Sequence, residues 1–180
     1  MKKVLILALA IVMSASVVSA NHIGLYSDPG YSDCNLVPVL YATNTIYVVH
    51  TLAATGNTAQ FKIVHNWTAL AGAISWGSNL TLGDVYTGIT VTYVGCKNLP
   101  YLLGTLGFIP LAADPQCAVS FQVVADPAVA SGSVEVVDCS AQVLLATGGT
   151  LTVNGDDVLC PCELVGTEET NWSRIKALYQ

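Results

Sequence analysis

The sequence predicts an all-β protein, an antiparallel β-sandwich of about nine or ten short strands, and three observations predict it. Turn-forming residues recur along positions 21–162, the pieces between them alternate apolar and polar side chains, and no piece sustains a helical period. Short strands with frequent turns and no helices between them bury their apolar faces by packing sheet on sheet.

The chain opens on Met1-Lys2-Lys3, an apolar run over 4–13 and a small-residue end, Val18-Ser19-Ala20. This pattern predicts a secretory signal peptide over 1–20, with cleavage leaving Asn21 first. The run is too short to anchor in a bilayer, and no later stretch reaches about 18 apolar residues, so no transmembrane segment is expected in the mature chain. The protein is therefore expected to be secreted, extracellular or held at the cell surface, with a bacterial look to its compact signal.

Charge narrows the partners. The whole chain has 6 Lys+Arg against 12 Asp+Glu, and losing Lys2 and Lys3 takes the formal charge from −6 to −8. The body carries only Lys62 and Lys97 as bases. That leaves no basic patch to neutralise phosphates, so nucleic acid and anionic membranes are disfavoured.

Nine breaks divide the body: Asp28-Pro29-Gly30, Thr55-Gly56-Asn57, Gly77-Ser78-Asn79, Thr87-Gly88, Asn98-Leu99-Pro100, Asp114-Pro115, Asp126-Pro127, Thr147-Gly148-Gly149 and Asn154-Gly155-Asp156. Between them Ile89, Val91 and Tyr93 alternate with Thr90 and Thr92, and Val119, Phe121 and Val123 with Ser120 and Gln122. Phe61 and Ile63, then Leu151 and Val153, repeat the pattern, which marks half-buried strands. The segment 101–111 (YLLGTLGFIPL) is apolar on both alternating faces. It is expected to be a strand whose second face is covered. The competing reading is an exposed edge suited to self-association.

All six cysteines, Cys34, Cys96, Cys117, Cys139, Cys160 and Cys162, lie beyond the signal segment, and an even number in an exported chain predicts disulfides. If 117–125 and 133–140 form a hairpin, Cys117 and Cys139 reach one edge and pair, given a bulge near Val136-Val137 to match their phases. Cys160-Pro161-Cys162 is too short to close on itself, so those two are expected to reach Cys34 and Cys96.

Reactive constellations are missing. There is no nucleophile elbow, zinc-protease helix motif or phosphate loop. His22, His50 and His65 are scattered, and a strand histidine such as His50 is ordinarily satisfied inside the sheet. Glu135 and Asp138, three apart, would point to opposite faces of a regular strand and make a poor acid–base pair. No catalytic residue, metal site or cofactor is expected. Calcium is the weaker alternative, with Asp28 and Asp33, or Asn154, Asp156 and Asp157, as loop ligands; turn formation explains the same residues. Tyr31, Trp67 and Trp76 are the ligand-binding candidates, with Tyr26 beside them, because exposed aromatic rings stack on sugars; core packing is the alternative role. The sequons at Asn66, Asn79 and Asn171 are close to what chance provides.

Beyond Cys162 the character changes. Residues 163–180 carry Glu168 and Glu169 early, Arg174 and Lys176 late, and Trp172, Ile175 and Leu178 at helical spacing. This predicts a short C-terminal amphipathic helix, either docked on the sandwich or serving as a tail that export or attachment machinery recognises.

Gly24-Leu25-Tyr26-x-Asp28, the Cys160-Pro161-Cys162 close and the ending Trp172-Ser173-Arg174-Ile175-Lys176-Ala177-Leu178-Tyr179 together resemble a set of uncharacterised exported bacterial β-sandwich proteins. The architecture is also similar to immunoglobulin-like and cohesin-like sandwiches; neither resemblance brings an activity with it. The resulting expectation is a non-enzymatic structural or adhesive module whose partner is an extracellular protein or glycan. A carbohydrate-binding module is the first alternative and a small secreted hydrolase the second.

Overall fold

A computed structural model describes residues 21–156 and Cys160 of the 180. The signal segment, the C-terminal tail, Asp157 and Cys162 lie outside the described residues. Within them the chain is all β: β1 (Asn21–Tyr26), β2 (Asn35–Leu36), β3 (Asn44–Thr51), β4 (Thr55–His65), β5 (Leu70–Ser75), β6 (Leu80–Asp84), β7 (Gly88–Asn98), β8 (Tyr101–Ile109), β9 (Val119–Val124), β10 (Val134–Val137), β11 (Val143–Gly148) and β12 (Thr150–Val153). No described helix is long and apolar enough to cross a membrane.

The strands make two facing layers. One runs β6-β7-β4, with β10 and β9 each pairing with part of β4; the other runs β11-β1-β3-β8-β5. β11 joins them, pairing with β10 through residues 143–146 and with β1 through 146–148. Rings meet across the gap: Phe108 on β8 packs edge-on to Phe121 on β9 at 4.9 Å, and Tyr93 on β7 lies 4.9 Å from Tyr101 on β8. The inward residues read from alternation, Phe61, Ile63, Ile89, Val91, Tyr93, Val119, Phe121, Val123, Leu151 and Val153, are all buried in one core. Each such large side chain removed from water contributes roughly 1.5–3 kcal/mol.

The architecture is the predicted sandwich, with differences that have physical causes. Pairing is antiparallel except for two parallel ladders, β1 with β11 and β2 with β12. The strand count exceeds the expected nine or ten because two strands are interrupted. β9 and β10 are collinear, both antiparallel to β4, with residues 125–133 looping out between them. β11 and β12 are likewise separated by Gly149 where the chain passes from one sheet to the other. A side chain at Gly148 would collide with the Val123 carbonyl, so only glycine allows that crossing. Thr55-Gly56-Asn57 is not a turn but the start of β4, where the register slips between Gly56 and Thr58. The chain reverses just before it, at 52–54, with Leu52 in the left-handed region at φ 73°.

β8 has no exposed residue, in keeping with the expected covered second face. It is a central strand between β3 and β5, and its register with β3 slips between Val48 and Val49. That bulge changes the phase, so Leu103 before it and Leu106 and Phe108 after it all reach the core.

The disulfides correct the expected pairing. Cys96 bonds to Cys139 and Cys117 to Cys160, each pair 43 residues apart, and Cys34 is also disulfide-bonded. The hairpin assumed for Cys117 with Cys139 does not exist. Collinear β9 and β10 put Cys117 at the start and Cys139 past the end of one line. Cys139 therefore meets Cys96 at the end of β7, across β4, with its Sγ 3.6 Å from the Gly56 carbonyl. Cys160 takes Cys117, so it reaches neither Cys34 nor Cys96.

Candidate functional site

The first layer turns one side to the core and leaves the other bare. Its register aligns Leu82, Thr90, Gln60, Glu135 and Leu145 in one row, and Leu80, Thr92, Thr58, Val137 and Val143 in the next. The residues between these rows on the inner strands, Val91, Ala59 and Val136, are buried, which fixes both rows as outward. Five strands make the face about 20 Å across. Leu80 and Leu82 are 70% and 78% exposed at one side, and Val143 and Leu145 each 61% at the other. Threonine and glutamine occupy the middle. The Gln60 amide donates to Asp126 Oδ2 at 2.9 Å, and Glu135 accepts from the Ser131 hydroxyl at 2.8 Å, so the polar members are held in place. The next position along β4 is Lys62, opposite Val124.

Cys96–Cys139 clamps this face, tying the far ends of β7 and β10 across β4. Chemically the surface offers apolar contact, hydroxyls and a fixed sheet backbone. Sequence reasoning missed it. Leu80 and Leu82 alternate with Thr81 as a half-buried strand would, and alternation gives a period without saying which side is wet.

The second layer's outer side is furnished differently. The loop 27–34 folds back over β1 and β3, bringing Tyr31 to ring distances of 5.8 Å from Tyr26 and 6.4 Å from Tyr47. Asp28 organises that loop. Its carboxylate accepts from the backbone N–H of Gly30 (2.8 Å), Ser32 (2.9 Å) and Asp33 (2.7 Å), and from the Ser32 hydroxyl (3.1 Å). Desolvation works to raise its pKa, and these hydrogen bonds together hold it below the usual range. Asp33 in turn accepts from the Asn35 N–H at 2.7 Å. Both carboxylates are thus spent on turn geometry.

The candidates singled out in the sequence do not converge. Tyr31 lines a cleft of about 530 Å³, whereas Trp76 lines a separate hollow of about 200 Å³ and packs edge-on to Phe61 at 6.3 Å. Trp67 is a core residue, 5% exposed, donating its indole N–H to Asp114 and lying against Phe108 and Phe121. It has no free face for a sugar. Asn154 donates to the Asp114 carbonyl at 3.0 Å and Asp156 accepts from Gln116 at 2.7 Å; Asp157 lies outside the described residues. Among the described residues no group of three His, Cys, Asp or Glu is placed to hold a metal ion.

Two of the histidines are buried and neutral. His50 Nδ1 lies 2.8 Å from the Tyr93 hydroxyl and Nε2 3.2 Å from Asn21 Oδ1, while His22 Nδ1 lies 2.9 Å from Thr147 Oγ1. Desolvation lowers both to about 4, opposed at His22 by a hydrogen bond with Thr147 and reinforced at His50 by the charge of His22. The sequon side chains Asn66 and Asn79 are also engaged, donating to the carbonyls of Ala118 (2.9 Å) and Leu103 (2.8 Å).

No protein-family model matches the sequence, and no curated protein is similar to it. Solved structures are similar in fold. A chain of the complex between CaCohA2 and a substituted form of CaDoc0917, crystallised at pH 5.5, aligns with a TM-score of 0.50 at 14% identity, covering 74% of this chain and 99% of that one. The non-cellulosomal cohesin from the hyperthermophilic archaeon Archaeoglobus fulgidus aligns at 12% identity and a TM-score of 0.47, covering 86% and 97%. At 14% identity the first likeness bears on the fold alone, and this chain shares a β-sandwich fold with that chain.

Proposed function

We propose that this protein is a non-catalytic, extracellular protein-binding module that engages its partner through the bare outer face of β6, β7, β4, β10 and β11. The observation that carries the reading is the pair of outward rows, apolar at both sides and hydroxyl-rich between, on a sheet cross-braced by Cys96–Cys139. Large apolar side chains left in water at both edges of one sheet face, with hydrogen-bonding groups between them, suit a partner broad enough to reach both edges. The wider chemistry agrees. The two clefts described above are lined by neither a histidine nor a carboxylate. Disulfides imply an oxidising compartment, consistent with secretion or display at the cell surface. The solved structure of similar fold comes from a complex, which supports a protein partner.

The experiment is affinity capture of surface and secreted proteins of the native organism on the immobilised full chain. A Leu82→Arg/Leu145→Arg variant and a Tyr31→Ala variant are run beside the wild type. A protein retained by the wild type and by Tyr31→Ala, and lost with the double arginine variant, is the expected result. Retention indifferent to the arginines contradicts the reading.

A further inference from the structure

We infer that the tyrosine-walled cleft on the opposite side of the sandwich is a binding site for a neutral saccharide. The cleft is open to solvent along one side and has a volume of about 530 Å³, within the range of roughly 300–1,000 Å³ typical of small-molecule sites. Its walls come from three segments far apart in sequence: Tyr26, Tyr31 and Ser32 from β1 and the loop after it, Thr51 and Leu52 from the β3–β4 reversal, and Pro100 from the β7–β8 turn. Tyr31, Ser32 and Thr51 present hydroxyls, Leu52 and Pro100 present apolar contact, and Tyr26, 7% exposed and packed beside Tyr31, backs the wall. A pyranose presents the matching chemistry, with hydroxyl edges for hydrogen bonds and an apolar C–H face for an aromatic ring.

The ring geometry is built rather than incidental. Tyr26 folds back over its own strand into space that any side chain at Gly24 would occupy: a Cβ there would lie 2.5 Å from the ring. Tyr31 is half-buried and held at φ 58° by the Asp28 network, and Leu52 across the cleft is held at φ 73°. Two of the six described non-glycine residues in the left-handed region thus line this one cleft, and such strained positions are used to preorganise a surface. Asp28 lies two residues from Tyr26, and the hydrogen bonds to its carboxylate favour the charged form, which disfavours anionic sugars at this position.

Titration calorimetry of the full chain against cello-, xylo-, manno- and maltohexaose, with hexagalacturonate as the anionic control, tests the inference. At least one neutral hexasaccharide is expected to bind with a Kd at or below the millimolar range. Tyr31→Ala should weaken that binding at least tenfold, Tyr31→Phe less, and Leu82→Arg not at all. Gly24→Ala supplies an independent perturbation, expected to weaken binding by displacing the Tyr26 ring while near-ultraviolet dichroism verifies a folded core. The inference is overturned by heats absent for every neutral sugar, by binding unaffected at Tyr31, by equal affinity for hexagalacturonate, or by binding of a proline-rich peptide in place of any sugar.

Discussion

The two outer sides of this sandwich share one core and are finished in opposite ways. On β1 and β3 the chain covers its own sheet: the Asp28 loop lays Tyr31 beside Tyr26 and Tyr47, and Val49, opposite Gly24, is fully buried. On β6, β7, β4, β10 and β11 no described loop covers the leucine and valine rows, and their exposure stays high. On the proposed reading, the side that no described loop covers is the surface for the partner. The stabilising devices are divided in the same way, with buried histidines under the tyrosine side and a disulfide across the bare side.

That division predicts different failures. Acid acts on the tyrosine side. His22 and His50 have folded pKa values of about 4 against about 6.5 when unfolded, so between those values the unfolded chain binds more protons. Their contribution is complete above pH 6.5 and is lost as pH falls towards 4, by about 3 kcal/mol for each histidine. Urea unfolding from pH 7 to pH 4 measures it, and His22→Gln should flatten the slope. Breaking Cys96–Cys139 with paired serines acts on the bare side, and loop entropy over 43 residues puts the loss at about 4 kcal/mol. Hydrogen exchange should then quicken in β7 and β10 before β1 and β3. Asp28→Ala removes the loop's acceptor and should speed exchange at Gly30, Ser32 and Asp33 roughly tenfold, a local cost of about 1 kcal/mol. Leu82→Lys, the mildest change, should alter stability by less than about 0.5 kcal/mol because the side chain is already in water.

The sequence was most legible where alternation is undisturbed. Ile89, Val91 and Tyr93 on β7, and Val119, Phe121 and Val123 on β9, sit inward as their period requires. Legibility failed wherever register changes. Glycine at position 56 read as a turn although it opens β4, where the register with β7 slips. The cysteine pairing failed for a topological reason: an interrupted strand and a hairpin have the same local pattern, and only the shared partner β4 distinguishes them. Among the candidate residues, aromatic character alone did not separate Tyr31, which lines a cleft, from Trp67, which is buried in the core. The outward rows could not be read at all, since they exist only once five strands from separate parts of the chain are set in register.

The central claim is that the bare face receives the partner, and amide hydrogen exchange of the full chain with and without the captured protein tests it most directly. Protection is predicted in β6, β10 and β11, with the 27–34 loop unchanged. Protection confined to that loop and to 52–54, with β6 and β11 exchanging freely, would contradict the account.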